Sequence, residues 1–270
     1  MADHALRTGA ALARAGFRRF STYRQATIAG LTTNMVFGLL RYYVLLATTV
    51  GAAGAVAGYD LAQLSSYVWF GQGLLTVVML WGWTELSDRV RTGDVVADLL
   101  RPVNPLWTYL ATDLGRAGYN FLVRMLVPIA FGAIFFPFYF PHAPATYPIT
   151  LVSTALAVVV CFGCRYLVNL TSFWLLDVRG AMTVWLACSG VLSGMYFPIA
   201  FMPGWIAAVL QYATPFPSMI QTPIDIYVER GGLGGQLLRL LVQAAWAVAI
   251  LALAHLVQTR ATRKLVIQGG

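Results

Sequence analysis

Six long apolar stretches separated by short polar segments organise the chain, at about 27–50, 61–84, 117–140, 149–174, 181–200 and 236–258. A helix needs about 20 apolar residues to cross a hydrocarbon core of about 30 Å, so each stretch can span one. Residues 1–25 follow another pattern. Leu6, Ala10, Ala13, Phe17 and Phe20 step by three or four onto one helical face, and Arg7, Arg14 and Arg18 fall on another. That is an amphipathic helix suited to the membrane interface. No apolar run separates its arginines, so a secretory signal peptide is excluded. A mitochondrial transit peptide shares the Arg-rich, acid-poor composition and stays open. The expected organisation is an all-α membrane protein: interface helix 1–25, a single six-helix domain 26–260 and a tail 261–270.

Two connections carry most of the polar punctuation. In segment 85–116, Glu85, Asp88, Asp94, Asp98 and Asp113 alternate with Arg89, Arg91, Arg101 and Arg116. Mixed signs suit either a docking surface for a protein or a solvated loop. Gly93 interrupts it, Asp94 is placed to cap a short helix through Leu100, and Pro102 stops that helix. Asn104 then caps a second helix with Pro105 at its first position, where a missing N–H costs nothing. Segment 197–235 holds Pro198, Pro203, Pro215, Pro217 and Pro223. Between Pro203 and Pro215 only about three helical turns fit, so this reads as a re-entrant or interfacial piece at the opposite face.

Composition excludes most other classes. Of 270 residues, 59% are hydrophobic and 10% charged. A soluble domain carries about 25% charged residues. The formal charge is +8, with one lysine, Lys264, among 18 basic residues. This basicity suits anionic lipid, and no basic stripe away from the membrane flanks suggests nucleic acid. Thirteen basic residues fall on the side of the N-terminus, against Arg230 and Arg239 on the other. The positive-inside rule therefore predicts that both termini are cytoplasmic.

Candidate chemistry is sparse. Cys161 and Cys164 form a C-x-x-C inside an apolar run, where small residues serve helix packing better than redox or metal chemistry. No His-Glu-x-x-His, G-x-S-x-G or other catalytic constellation is present, so the chain is not expected to be an enzyme. A P-loop needs Gly-Lys-Ser/Thr, and Lys264 stands between Arg263 and Leu265. No cofactor or metal site is expected on this chain. No acidic residue falls within the six stretches, which leaves Arg41 and Arg165 as costly intramembrane charges without an acidic partner. They either pair with a neighbouring chain or line a substrate route. Phe37 and Phe173 are aromatic candidates for the same route, or lipid-facing residues.

The string Glu85-Leu86, Arg91-Thr92-Gly93-Asp94 and Leu99-Leu100-Arg101-Pro102-Val103-Asn104-Pro105-Leu106 resembles the first cytoplasmic loop of type-2 ABC exporter permeases. The likeness is to their short six-span branch, which often works as two unlike permeases with a separate ATPase. Ser193-Gly194-Met195-Tyr196-Phe197-Pro198, Met202-Pro203, Trp205 and Pro215 resemble the class's outer segment. The resemblance implies a coupling helix at 94–101 that meets an ABC nucleotide-binding ATPase, with Asp94, Asp98, Arg101 and Pro102 in it. It implies a bracing carboxylate at Glu85 and an outer gate at Phe197, Pro198, Pro203 and Trp205. It further implies ATP and Mg on the ATPase, and a second permease that is an unlike chain or a copy of this one. Export of an amphiphilic drug, toxin or lipid-like compound across a bacterial inner membrane is the function it suggests. The excess of arginine over lysine fits a GC-rich bacterial genome. A lipid-modifying membrane enzyme and a non-transporting scaffold are the alternatives.

Overall fold

A computed structural model describes residues 2–22, 24–50, 57–175 and 177–264. Within the tail, 265–270 lie outside this range, as do Met1 and Tyr23 of the N-terminal segment; the Leu6 side chain is also undescribed. Twelve α-helices run through the described residues: α1 Ala2–Ser21, α2 Arg24–Val50, α3 Leu61–Val78, α4 Glu85–Thr92, α5 Val95–Leu99, α6 Pro105–Asn120, α7 Leu126–Phe135, α8 Thr146–Leu170, α9 Arg179–Leu192, α10 Gly204–Ala213, α11 Gln221–Tyr227 and α12 Gly232–Thr262. A π-helical turn, Phe121–Met125, joins α6 to α7.

Among the described residues, four helices are long and apolar enough to cross a membrane: Thr27–Thr48, Pro105–Phe135, Thr146–Phe173 and Gly232–Thr262. The second stretch is the 18-residue α3 and the fifth the 14-residue α9. At 1.5 Å per residue, α9 covers about 21 Å. The third span begins earlier than expected. Asn104 accepts from the Leu106 N–H at 2.9 Å with Pro105 at the first position, and nothing breaks the helix before Phe135. Asp113 and Arg116, assigned to the loop from sequence, are therefore buried inside the bundle.

The bundle has two polar ends. The loop end carries 79–104, and the far end carries 193–231. Helix α1 docks along α6 rather than resting on lipid alone. A Cβ at Gly16 would stand 2.1 Å from the Thr112 carbonyl oxygen, and one at Gly115 would stand 1.9 Å from that of Ala13. Two glycines thus let the backbones meet, as small residues do at membrane helix crossings. Phe17 meets Tyr119 edge-on, with ring centroids 5.5 Å apart. Helices α8 and α12 form the other close pair, with Gly163 facing Ile250. Cys161 and Cys164 are buried free thiols in that layer, as small residues for packing should be.

Candidate functional site

At the loop end, α3 stops at Val78, short of the expected 84. A helix ending inside a bundle must have its last carbonyls satisfied. Arg116 donates to the Thr76 and Val77 carbonyls at 3.1 and 2.8 Å, Asn120 to Thr76 at 2.9 Å, and Trp185 Nε1 to Leu80 at 2.6 Å. Met79 closes the helix in the left-handed region. Asp113 accepts from Arg116 at 2.7 Å and from Arg165 at 2.8 Å, and all three side chains are buried. The reading that Arg165 lacks an acidic partner is thereby corrected. The surplus positive charge of this triad falls on the carbonyl end of α3, where the helix dipole is negative. Arg165 also lies 5.8 Å from the ring centre of Trp83.

This buried hub holds a platform made of α4 and α5. Asn169 of α8 accepts from the Ser87 N–H at 3.1 Å and donates to the Trp83 carbonyl at 3.0 Å, so it caps α4 from another helix. Glu85 opens α4 and pairs with Arg19 of α1 at 3.2 Å. Gly93 ends α4 in the left-handed region, with φ 83°. Asp98 ties the two helices together. It binds Arg89, with Nε 2.6 Å from Oδ2, accepts from the Tyr109 hydroxyl at 3.1 Å, and has Arg101 at 3.8 Å. Burial alone would lower the Arg89 pKa; the Asp98 carboxylate outweighs it and raises it.

Asp94 does not cap α5 with its side chain. Its backbone is right-handed helical rather than extended, and its carboxylate accepts from the Thr92 hydroxyl at 2.8 Å. Beyond the platform, Leu100 is 81% exposed, and Arg101 and Pro102 are exposed beside it. Between the platform and the start of α9 lies an open cleft of about 1490 Å³. Phe173 and Trp174 line it, together with Asp88, Arg91, Asp177 and Arg179.

The far end is built around Gln221. Its amide donates to the Tyr59 hydroxyl at 2.8 Å and to Asp225 at 2.9 Å, and accepts from Tyr67 at 2.7 Å and from the Ile199 N–H at 3.0 Å. The Tyr67 hydroxyl also lies against the Gly194 carbonyl. Helix α11 is buried throughout. Of the expected gate, Phe197 and Pro198 pack inward, whereas Pro203 and Trp205 are exposed. Glu229 pins this segment to the start of α8. It accepts from Tyr139 at 2.7 Å, His142 N–H at 3.0 Å, Ala143 N–H at 2.9 Å and Thr146 at 2.7 Å. Burial would raise its carboxyl, but these four donors outweigh it and hold it at about 2.

The sequence-derived route residues are not brought together. Arg165 serves the loop-end hub and Phe173 the loop-end cleft. Arg41 lies in the far-end half of α2 against α3, and Phe37, one turn away, is exposed. Asp113, Asn169, Gln221 and Glu229 were missed. Their one sequence signal was polarity next to, or inside, an apolar run.

No curated protein and no solved structure matches the chain. A family model described as ABC-2 family transporter protein matches residues 33–269, nearly the whole chain. With an all-helical bundle, four membrane-length helices and a braced two-helix platform at one end, this chain belongs to the ABC-2 transporter family as a membrane permease.

Proposed function

We propose that this chain is the six-span permease subunit of an ATP-driven exporter that moves an amphiphilic compound out of the cytoplasm. Helices α3 and α9 supply the second and fifth spans, shorter than the rest and followed by non-helical segments rather than further helix. The loop end and both termini face the cytoplasm of a bacterial cell, in line with the thirteen-to-two distribution of basic residues. The substrate path lies between this permease and a second one, an unlike chain or a copy.

One observation carries the reading: an apolar tip, Leu100, stands out in water on a platform that the fold braces from three sides. Glu85 binds it to α1, Asn169 to α8 and Asp98 to α6. A single exposed leucine is ordinary on a protein surface; the bracing from three sides, which makes a rigid lever of an exposed loop, is what suits a docking partner. Family membership implies an ABC ATPase as that partner, and ATP with Mg would bind there. Two ATPase subunits closing on ATP would push α4 and α5, and the platform would pass the displacement to α8 and α6. Such a cycle moves cargo only if the inward and outward states differ in affinity for it.

The platform carries force only if Asp98 holds α4 and α5 as one body. Asp98→Asn in the reconstituted complex should reduce substrate-stimulated ATP hydrolysis by at least about tenfold, about 1.4 kcal/mol in activation free energy. The spans should remain folded by circular dichroism. Unchanged stimulation would contradict the assignment.

A further inference from the structure

Among the described residues, Arg41 is the intramembrane arginine whose whole guanidinium is buried without a partner; Arg124 has a partnerless Nε too, but its side chain is partly exposed. All three of its guanidinium nitrogens are shut off from solvent, and none has a hydrogen-bond partner among the described residues. No described carboxylate forms an ion pair with it. Asp225, the acidic side chain of that layer, is committed to Tyr59 and Gln221 and has Arg239 at 3.6 Å. The Tyr67 hydroxyl is likewise spent on Gly194 and Gln221. A buried guanidinium in this state lacks the compensation that such charges ordinarily have.

Its surroundings suit a visiting anion. The head sits beside Gly71 of α3, where a Cβ would stand 3.8 Å from Nη1, an ordinary packing distance. The stem of Arg41 reaches the surface of α2, next to the exposed apolar positions Phe37, Leu40 and Val44. Arg41 stands nine residues before the end of α2, about 14 Å inside that end at 1.5 Å per residue. A lipid resting in the leaflet would hold its phosphate near the boundary. With α2 as a span on the proposed reading, an anion at Arg41 would sit at hydrocarbon depth rather than at the leaflet boundary.

We infer that Arg41 is the head-group site for an amphiphile with an anionic head, a phosphate, sulfate or carboxylate, whose apolar tail lies along Phe37, Leu40 and Val44. The inference rests on the exporter reading and names its cargo class. A planar guanidinium offers paired donors that match such oxyanions.

The test is a thermal-shift titration of the full chain in phosphatidylcholine nanodiscs. Dodecyl phosphate is the probe, with dodecyl maltoside as the uncharged control and inorganic phosphate as competitor. Wild type should be stabilised saturably by dodecyl phosphate and not by the maltoside. Arg41→Gln should weaken that binding by at least about tenfold, about 1.4 kcal/mol, and Arg41→Lys should retain part of it. Equal binding in wild type and Arg41→Gln would overturn the site. Displacement by equimolar inorganic phosphate would overturn the amphiphile as its ligand. An Arg41→Gln chain that fails to fold would also overturn it, because removing an unpartnered charge should not unfold the protein. Arg41-independent binding in a chain that still recovers an ATPase defeats this inference alone. Failure to recover any ATPase defeats the exporter reading, while dodecyl phosphate binding at Arg41 stays measurable.

Discussion

Arg165 and Arg41 are the same residue type, each with a buried head on a membrane-length helix, and the fold treats them in opposite ways. At the loop end, Arg165 shares Asp113 with Arg116, and the triad closes the carbonyl end of α3. In the far-end half, Arg41 has neither an acid nor a carbonyl as partner among the described residues. A buried charge that is paired belongs to the architecture. One that is unpaired is available to something that comes and goes. On the proposed reading the two ends divide the work: the braced loop end would carry force, and the far-end half of α2 would offer its charge to a ligand.

The comparison breaks most visibly at Asp113. Asp113→Asn strands two buried guanidiniums and should cost about 3–5 kcal/mol, enough to prevent recovery of folded protein. Size-exclusion profile and thermal midpoint in detergent would report it, and a native-like midpoint would show that the triad is not structural. Next comes Gly115→Val, which drives a side chain into the Ala13 carbonyl and should cost about 1–3 kcal/mol by overpacking. Accessibility of a cysteine placed at Ala13 should rise as α1 lifts from α6.

Glu229 sharpens the far-end side. Its four donors hold its carboxyl at about 2, below the ordinary glutamate value of 4.5. Its contribution is thus complete above the unfolded value and is lost as pH falls from about 4.5 toward 2. Glu229→Gln should lower stability at neutral pH by about 1–2 kcal/mol. It should also flatten the acid limb of the midpoint-against-pH curve in that window; an unchanged limb would count against the pin. The smallest effect on stability belongs to Arg41→Gln, whose unliganded midpoint should stay level or rise slightly. A fall comparable to that of Asp113→Asn would erase the contrast between the two arginines.

Local signals in the sequence were sound where the determinant was local. The Asn104 cap with Pro105, the stop at Gly93 and the α1 periodicity all appear as expected. Asp94 failed as a cap because Thr92, two residues away, took its carboxylate while the backbone stayed helical. The early end of α3 could not be foreseen, since the donors that satisfy it come from Arg116 and Asn120, about 40 residues later. Arg165 looked unpaired for a similar reason. Its partner is 52 residues away, on a stretch that its charges made look like a loop. The docking of α1 was hidden in Gly16 and Gly115, which carry no hydrophobic signal. Resemblance supplied the platform's place in the chain, and the side chains that brace it became visible only in three dimensions.

The central claim is that the α4–α5 platform meets an ABC ATPase through its exposed tip. A photo-crosslinking amino acid at position 100, in the tagged full chain expressed in its native host, tests it most directly. The account predicts a crosslink to a nucleotide-binding subunit, with a yield that changes when ATP is supplied and hydrolysis is blocked. Crosslinks confined to lipid or to other copies of this chain would contradict it.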